Sequence, residues 1–355
     1  MNRRYAILAP DRFKSDAKTA HGVIRYGSDE VVAVIDPSNA GRRVREVLGY
    51  LDSEAPIVAS VAEALEFSPN ALLIGTAPKG GGLPPAWRSA ILEAIGARLE
   101  IVSGLHEMLD EDREFRVAAR AAGTAIWDVR EPPDVPLFSG DVYAIAPPVL
   151  LTVGNDCAVG KMTVSLELVR AANAAGRNAR FVPTGQTGVL IAGWGISVDR
   201  VISDFAPGAA EQLVLYAVRE GADLIVVEGQ GAINHPAYGS VTYALMTGCA
   251  PDALVLVCDP RRAQIESYPT PTLRYRESIA IHERLLETMK PAKVVGIALN
   301  TEGLVESRAR AEIERAGKET GLPADDLVRF GAERFYAAIA PAIVKRPPLK
   351  AAARE

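Results

Sequence analysis

This sequence has little of what most often advertises chemistry. Its 355 residues include only three cysteines, four histidines and 6% aromatic residues. Cys157, Cys249 and Cys258 are too few and too scattered for a disulfide framework or a zinc knuckle, so no metal centre is expected. Cys249 and Cys258 stand in or beside apolar runs and read as buried thiols. No window approaches the ~18 uninterrupted apolar residues of a membrane span, and the apolar stretch within MNRRYAILAPDRFKSDAKTAHG is too short for a signal-peptide core. The expectation is a cytoplasmic protein with no membrane partner. Basic charge is also scarce: a net charge of −5 gives no electrostatic case for nucleic acid. Absent too are G-x-G-x-x-G, which leaves dinucleotide binding poorly supported, and any repeat of solenoid period.

What is present is 48% hydrophobic content over a length that suits two domains. Short apolar runs, EVVAVID (30–36), ALLIG (71–75), LEIVSG (99–104) and TAIWDVR (124–130), alternate with segments of helical spacing that end near glycine. That alternation predicts βα units and a parallel sheet. A proline-rich, aperiodic stretch, REPPDVPLFSGDVYAIAPP (130–148), marks a domain boundary. A second series follows: PVLLTVG (148–154), ARFVPTG (179–185), ADLIVVEG (222–229), DALVLVCD (252–259) and AKVVGIALN (292–300), with LVRFG (327–331) as a sixth strand. The predicted organisation is one α/β domain over 1–140, a second over 141–345 and a tail over 346–355. Both read as three-layer units with ligand sites at the carboxyl ends of their strands.

The strongest motif is GNDCAVGKMT, directly after a buried strand and before the helical run KMTVSLELVRAANAAG. Gly154, Asn155, Asp156, Cys157, Ala158, Val159, Gly160, Lys161, Met162 and Thr163 form a phosphate-binding loop in this context. Successive backbone N–H groups and the helix dipole attract an anion, and the lysine reaches a terminal phosphate. Met162 stands where a hydroxyl normally holds Mg²⁺, so the usual hydrolytic geometry is in doubt, although Thr163 can still bond a phosphate.

LIVVEGQGAINHPAYG brings Glu228 to a strand end and leaves His235 in the following loop. Glu228 can hold a metal, bind an amine or polarise water, or it is a solvated strand-end acid. His235, before Pro236, either takes a catalytic or substrate role or caps the next helix. FVPTGQTG places Thr184, Gln186 and Thr187 in one small polar turn that is either suited to a ligand or a simple turn, and GIALN brings Asn300 to a strand end where its carboxamide can read a base edge. In the first half, GTAPKGGGLPP carries Lys79 in a glycine loop that is either a substrate or interdomain contact or plain loop structure. Arg130, in DVREPP, is a carboxylate fork or an ordinary salt-bridge residue.

Together GNDCAVGKMT, VVEGQG and GIALN resemble the dethiobiotin-synthetase branch of P-loop proteins. A resemblance over nearly the whole chain is carried, in order, by VIDPSNAGR, GTAPKGGGLPPAW, SGLHEML, DVREPP, GNDCAVGKMT, PTGQTG, DFAPGAAE and EGQGAINHPAYG. These segments are similar to a family once of unknown function and now associated with D-glutamate N-acetyltransferase activity. The resemblance implies a Rossmann-like parallel-sheet N-terminal domain and a P-loop NTPase-like, three-layer α/β/α C-terminal domain. It also implies that the loop binds the 3′-phospho-ADP part of acetyl-CoA, which needs no hydrolytic Mg²⁺ and so suits Met162.

Under that resemblance the amine of a D-amino acid, D-glutamate first, attacks the acetyl thioester. His235 or Glu228 would take the ammonium proton, and Lys79, Arg130 and Arg261 would supply cations for the two carboxylates. The alternative is an ATP- and Mg²⁺-dependent kinase or carboxylate ligase with Glu228 and Asp156 on the metal; a nucleotide-binding regulator without catalysis is a third reading. The partner expected is a small-molecule substrate, in a protein that forms a homo-oligomer.

Overall fold

A computed structural model of the protein describes residues 3–76 and 81–347. The chain divides into two compact units. One takes the residues up to Pro133 together with Gln186–Arg200; the other takes Asp134–Gly185 and the residues from Val201 on.

The first unit is built on strands β1 (Arg4–Leu8), β2 (Glu30–Ile35), β3 (Ile57–Val58), β4 (Ala71–Ile74), β5 (Glu100–Ser103) and β6 (Ile126–Asp128). They pair in the order β3-β2-β1-β4-β5-β6, every pair parallel. This is the Rossmann-like order, with its reversal between β1 and β4. Strand residues Leu8, Ile35, Leu72 and Ile101 pack with Ile91, Ile95 and Phe115 from the crossover helices Arg88–Gly96 and Arg113–Ala122. The second of those helices is capped by Asp112, whose carboxylate accepts the Glu114 and Phe115 amides, and stops at Gly123 with φ +69°. β1 and β3 escape an apolar-run search because one lies in the basic N-terminal stretch and the other is two residues long.

The second unit contains β7 (Val149–Gly154), β8 (Ala179–Val182), β9 (Leu224–Val227), β10 (Ala253–Cys258), β11 (Lys293–Leu299) and β12 (Ala324–Asp325). Their order is β12-β11-β10-β7-β9-β8, again wholly parallel. β7 and β10 are buried along their full length, which is why they read as continuous apolar runs and not as alternating ones. Leu150, Val226 and Val257 pack with Leu168 of helix Lys161–Ala174 and with Phe335 and Ile339 of helix Glu333–Ile339. Gly296 in β11 makes room for that contact, since a Cβ there would lie 2.6 Å from Phe335 Cζ.

The sixth strand differs from expectation. LVRFG is not a strand: Leu327–Phe330 is a single helical turn, and the strand is Ala324–Asp325 just before it. Asp326 explains the difference, because its carboxylate accepts the amides of Val328 and Arg329 at 3.1 and 3.0 Å and so starts a helix. Most of the expected tail, residues 348–355, lies outside the described residues.

Candidate functional site

In the second unit the chain order turns back at β7, between β9 on one side and β10 on the other. In open α/β sheets the crevice beyond such strand ends receives ligands. The loop that leaves β7 is curled there by two left-handed residues, Ala158 at φ +54° and Gly160 at φ +105°. Alternation of this kind makes successive N–H groups converge on an anion. The amides of Ala158, Val159 and Gly160 donate to no described residue. Lys161, 6% exposed, folds its ammonium back to the Asp156 carbonyl at 2.7 Å. A Cβ on Gly154 would come within 3.0 Å of that Nζ, so the strand passes close beneath the lysine. The helix that starts at Lys161 adds its positive dipole end. Met162 follows with no oxygen to offer a metal. The nearby Ser165 hydroxyl is engaged, donating to the Lys161 carbonyl and lying 3.0 Å from Thr152 Oγ1.

Asp156 is the hub of the loop. It is fully buried, and its Oδ2 accepts Nη1 of Arg262 at 2.7 Å and the Glu266 amide at 3.0 Å, while Oδ1 accepts the Cys157 amide at 2.6 Å. Arg262 also donates to the Cys157 carbonyl at 2.9 Å, clamping the loop to the segment after β10. Sequence reasoning missed Arg262 and chose its neighbour Arg261. The signal was a charged DPRRAQ cluster at a strand end, which does not say which arginine turns toward the loop. Arg261 forks onto Asp259 at 2.8 and 2.7 Å and donates to the Glu302 carbonyl, so its charge is balanced locally.

The ends of β8 and β9 are clasped together. Glu228, buried, accepts the amides of Thr184 and Gly185 on Oε2 at 3.0 and 3.2 Å, and the Thr184 hydroxyl donates to the Glu228 carbonyl at 2.8 Å. Gln230 completes the clasp by donating to the Thr184 carbonyl. The next residue ties this corner to the phosphate loop: the Gly229 amide donates to Thr152 Oγ1 at 2.9 Å, and a Cβ on Gly229 would lie 3.2 Å from Lys161 Cδ.

His235 is 4% exposed, with its ring beside Tyr238 and Tyr268. Its Nδ1 accepts the backbone amides of Ala237 and Tyr238 at 3.1 and 3.2 Å. A nitrogen that takes two N–H groups holds a lone pair, so the neutral ring carries its proton on Nε2. Burial lowers the pKa of the ring, against the opposing pull of Asp156, whose Oδ1 lies 4.0 Å from Nε2. Among the described residues Asp156, Cys157 and His235 bring potential ligand atoms within 4.8 Å of one another. A ligating Nε2 needs its proton on Nδ1, donated to an acceptor. Here Nδ1 faces two donors, so this trio does not suit a cation.

Other expected site residues lie elsewhere. Gln186 and Thr187 do not share Thr184's surroundings: they open helix Gln186–Ala192, which belongs to the first unit. There the Thr187 hydroxyl lies 3.2 Å from that of Thr19, and Gln186 accepts Nη2 of Arg130 at 2.8 Å. Arg130 is buried, donates Nε to the Gly104 carbonyl at 2.8 Å and pairs with Asp199 through Nη1. Its fork is therefore occupied by protein groups. Asn300, at the end of β11, accepts the Glu302 amide on Oδ1 at 3.1 Å. Lys79 lies outside the described residues. Cys249 and Cys258 are buried, as expected, and burial pushes both thiols well above their ordinary range, which makes them unreactive.

The model of a P-loop domain of unknown function, the C-terminal part of the DUF1611 family, matches residues 136–336, and that of the family's Rossmann-like N-terminal domain matches residues 37–132. A D-glutamate N-acetyltransferase of Tritonibacter scottomollicae is 34% identical over 341 residues, spanning 94% of this chain and 96% of that protein. Another from a Pseudoalteromonas species is 35% identical over 283 residues, spanning 78% and 83%. The crystal structure of a DUF1611 family protein from Anabaena variabilis matches with a TM-score of 0.91 at 38% identity, covering 96% of this chain and all of that one.

Proposed function

This chain belongs to the DUF1611 family, and from that premise we propose that it is an N-acetyltransferase that moves acetyl from acetyl-CoA to the amine of a D-amino acid, D-glutamate first. The names of two relatives support the reaction class. The observation that carries the reading is the phosphate loop itself. Its amides, Lys161 and the helix start suit a diphosphate, while Met162 removes the hydroxyl that a hydrolytic Mg²⁺ would need. Fit to that metal is poor on another count as well: Asp156 is committed to Arg262 and to two amides.

In the proposed reaction the free amine attacks the thioester carbonyl, the C–S bond breaks and CoA leaves as its thiolate. The nitrogen gives up one proton to Glu228, whose carboxylate keeps its shape through the two amides it accepts. His235, with its proton on Nε2, acts as a hydrogen-bond donor to the oxyanion and not as the base.

The test is to incubate the protein with acetyl-CoA and a panel of D- and L-amino acids while following free thiol, with ATP consumption in Mg²⁺ measured in parallel. Thiol release that depends on a D-amino acid is expected. ATP consumption with no thiol release would replace this reading with a kinase or carboxylate ligase.

A further inference from the structure

Beside the phosphate loop, and wholly within the second unit, lies a cavity of about 370 Å³ whose lining includes Asn155, Asp259, Arg262, Arg274, Tyr275 and Arg315. Its size falls in the ~300–1,000 Å³ range of small-molecule sites. Two buried polar atoms on its lining residues have no hydrogen-bond partner among the described residues: Asn155 Oδ1, in a residue 5% exposed, and Tyr275 Oη, in one 7% exposed. Native interiors satisfy nearly all such atoms, so each marks a place where a ligand or water completes the structure. Three arginines of the wall, Arg262, Arg274 and Arg315, face two acids, Asp259 and Glu319, and Asp259 is neutralised by Arg261 and Arg262, so the charge of the wall is positive on balance. Arg274 is exposed and forms no ion pair with any described residue. Arg315 shares its Nε with Glu312 and lies over the Tyr275 ring at 5.6 Å. A cationic wall with an orphaned carboxamide oxygen and a phenol suits a ligand bearing both a phosphate and hydroxyl or N–H donors.

Building on the proposed acetyl-CoA reading, we infer that this cavity receives the 3′-phosphorylated ribose of CoA, with Arg274 and Arg315 on the 3′-phosphate. The shared residues decide which end of CoA fits. Asn155 and Arg262 belong to both the cavity and the phosphate loop's immediate surroundings, so the occupant is chemically adjacent to the diphosphate. The 3′-phosphate is separated from the diphosphate by a single ribose, whereas the thioester lies at the far end of the pantetheine arm. ATP, with no 3′-phosphate, would leave Arg274 without an anion and Arg315 with Glu312 alone.

Titration calorimetry of the full chain with CoA, dephospho-CoA and ATP–Mg²⁺ tests this. CoA is expected to bind about 10- to 100-fold more tightly than dephospho-CoA, as the loss of charge-assisted bonds predicts. The double variant Arg274→Ala/Arg315→Ala changes exposed side chains, so it is expected to fold; melting temperature checks this. It should bring CoA down to the affinity of dephospho-CoA and leave dephospho-CoA unchanged. Equal affinity of the wild type for CoA and dephospho-CoA would overturn the cavity assignment while leaving the acetyl-CoA reading standing. Equal weakening of both ligands in the double variant would also overturn it. Binding of ATP–Mg²⁺ with neither CoA form would overturn both.

Discussion

His235 accepts the backbone amide of Tyr238 on Nδ1 at 3.2 Å, and that bond decides what the imidazole can do. The other nitrogen keeps the proton and faces Asp156 Oδ1 at 4.0 Å. His235→Asn separates the two functions of the ring, because a carboxamide oxygen can take the place of Nδ1 but nothing replaces the Nε2 donor. The Asn variant is expected to melt near the wild type and lose turnover. His235→Ala is expected to lose turnover and also about 1 kcal/mol of stability, comparable with the loss of a helix cap, because Nδ1 holds two amides of the turn before helix Gly239–Gly248. Full turnover in the Asn variant would reduce His235 to a structural brace of that turn.

Glu228→Gln keeps an acceptor for the amides of Thr184 and Gly185 but removes the proton acceptor. Turnover is expected to fall by ~10²–10⁴-fold with little change in the apparent affinity for acetyl-CoA, the usual extent of a general-base contribution. Steady-state kinetics over a range of pH checks this, and a variant with native turnover would move the base elsewhere.

Lys161→Ala removes the ammonium held within the phosphate loop. CoA binding is expected to weaken by roughly 10- to 1000-fold, since the charge-assisted bonds are lost and neighbouring groups are left unpaired. Met162→Thr is the contrast: acetyl transfer is expected to stay unchanged and ATP turnover to stay absent. A gain of ATPase activity in that variant would point to a metal-dependent ancestor still competent in this chain.

Much of this architecture was readable from apolar runs, and the reason is burial. β7, β9 and β10 are covered on both faces, so they form unbroken runs that end at Gly154, Glu228 and Asp259. The loop after β7 was equally plain, because its glycines and lysine have fixed spacing. Contacts between distant segments were not legible. Asp156 meets Arg262 across 106 residues, and no periodicity marks that pairing. Nor does composition separate Thr184 from Gln186, which are neighbours in the chain but members of different compact units. LVRFG misled because a short apolar run fits strand and helix alike, and the Asp326 cap decides between them.

His282 makes stability depend on pH. It is fully buried in helix Tyr275–Glu287, where its Nδ1 donates to the Ser278 carbonyl at 2.7 Å, and burial lowers its pKa to about 4. The unfolded chain titrates near ~6.5. Between these values the unfolded state holds the extra proton, so stability is at its full value above the unfolded pKa and falls as pH drops toward about 4. The loss is expected to reach about 2 kcal/mol between about pH 7 and about pH 5, and about 3 kcal/mol when complete. His235, also lowered by burial, adds a contribution of the same sign. Urea denaturation of the wild type and of His282→Leu at both pH values measures the difference. The variant begins from a different absolute stability, so the quantity to compare is the change with pH. A slope in His282→Leu as steep as in the wild type would show that other groups govern the acid sensitivity.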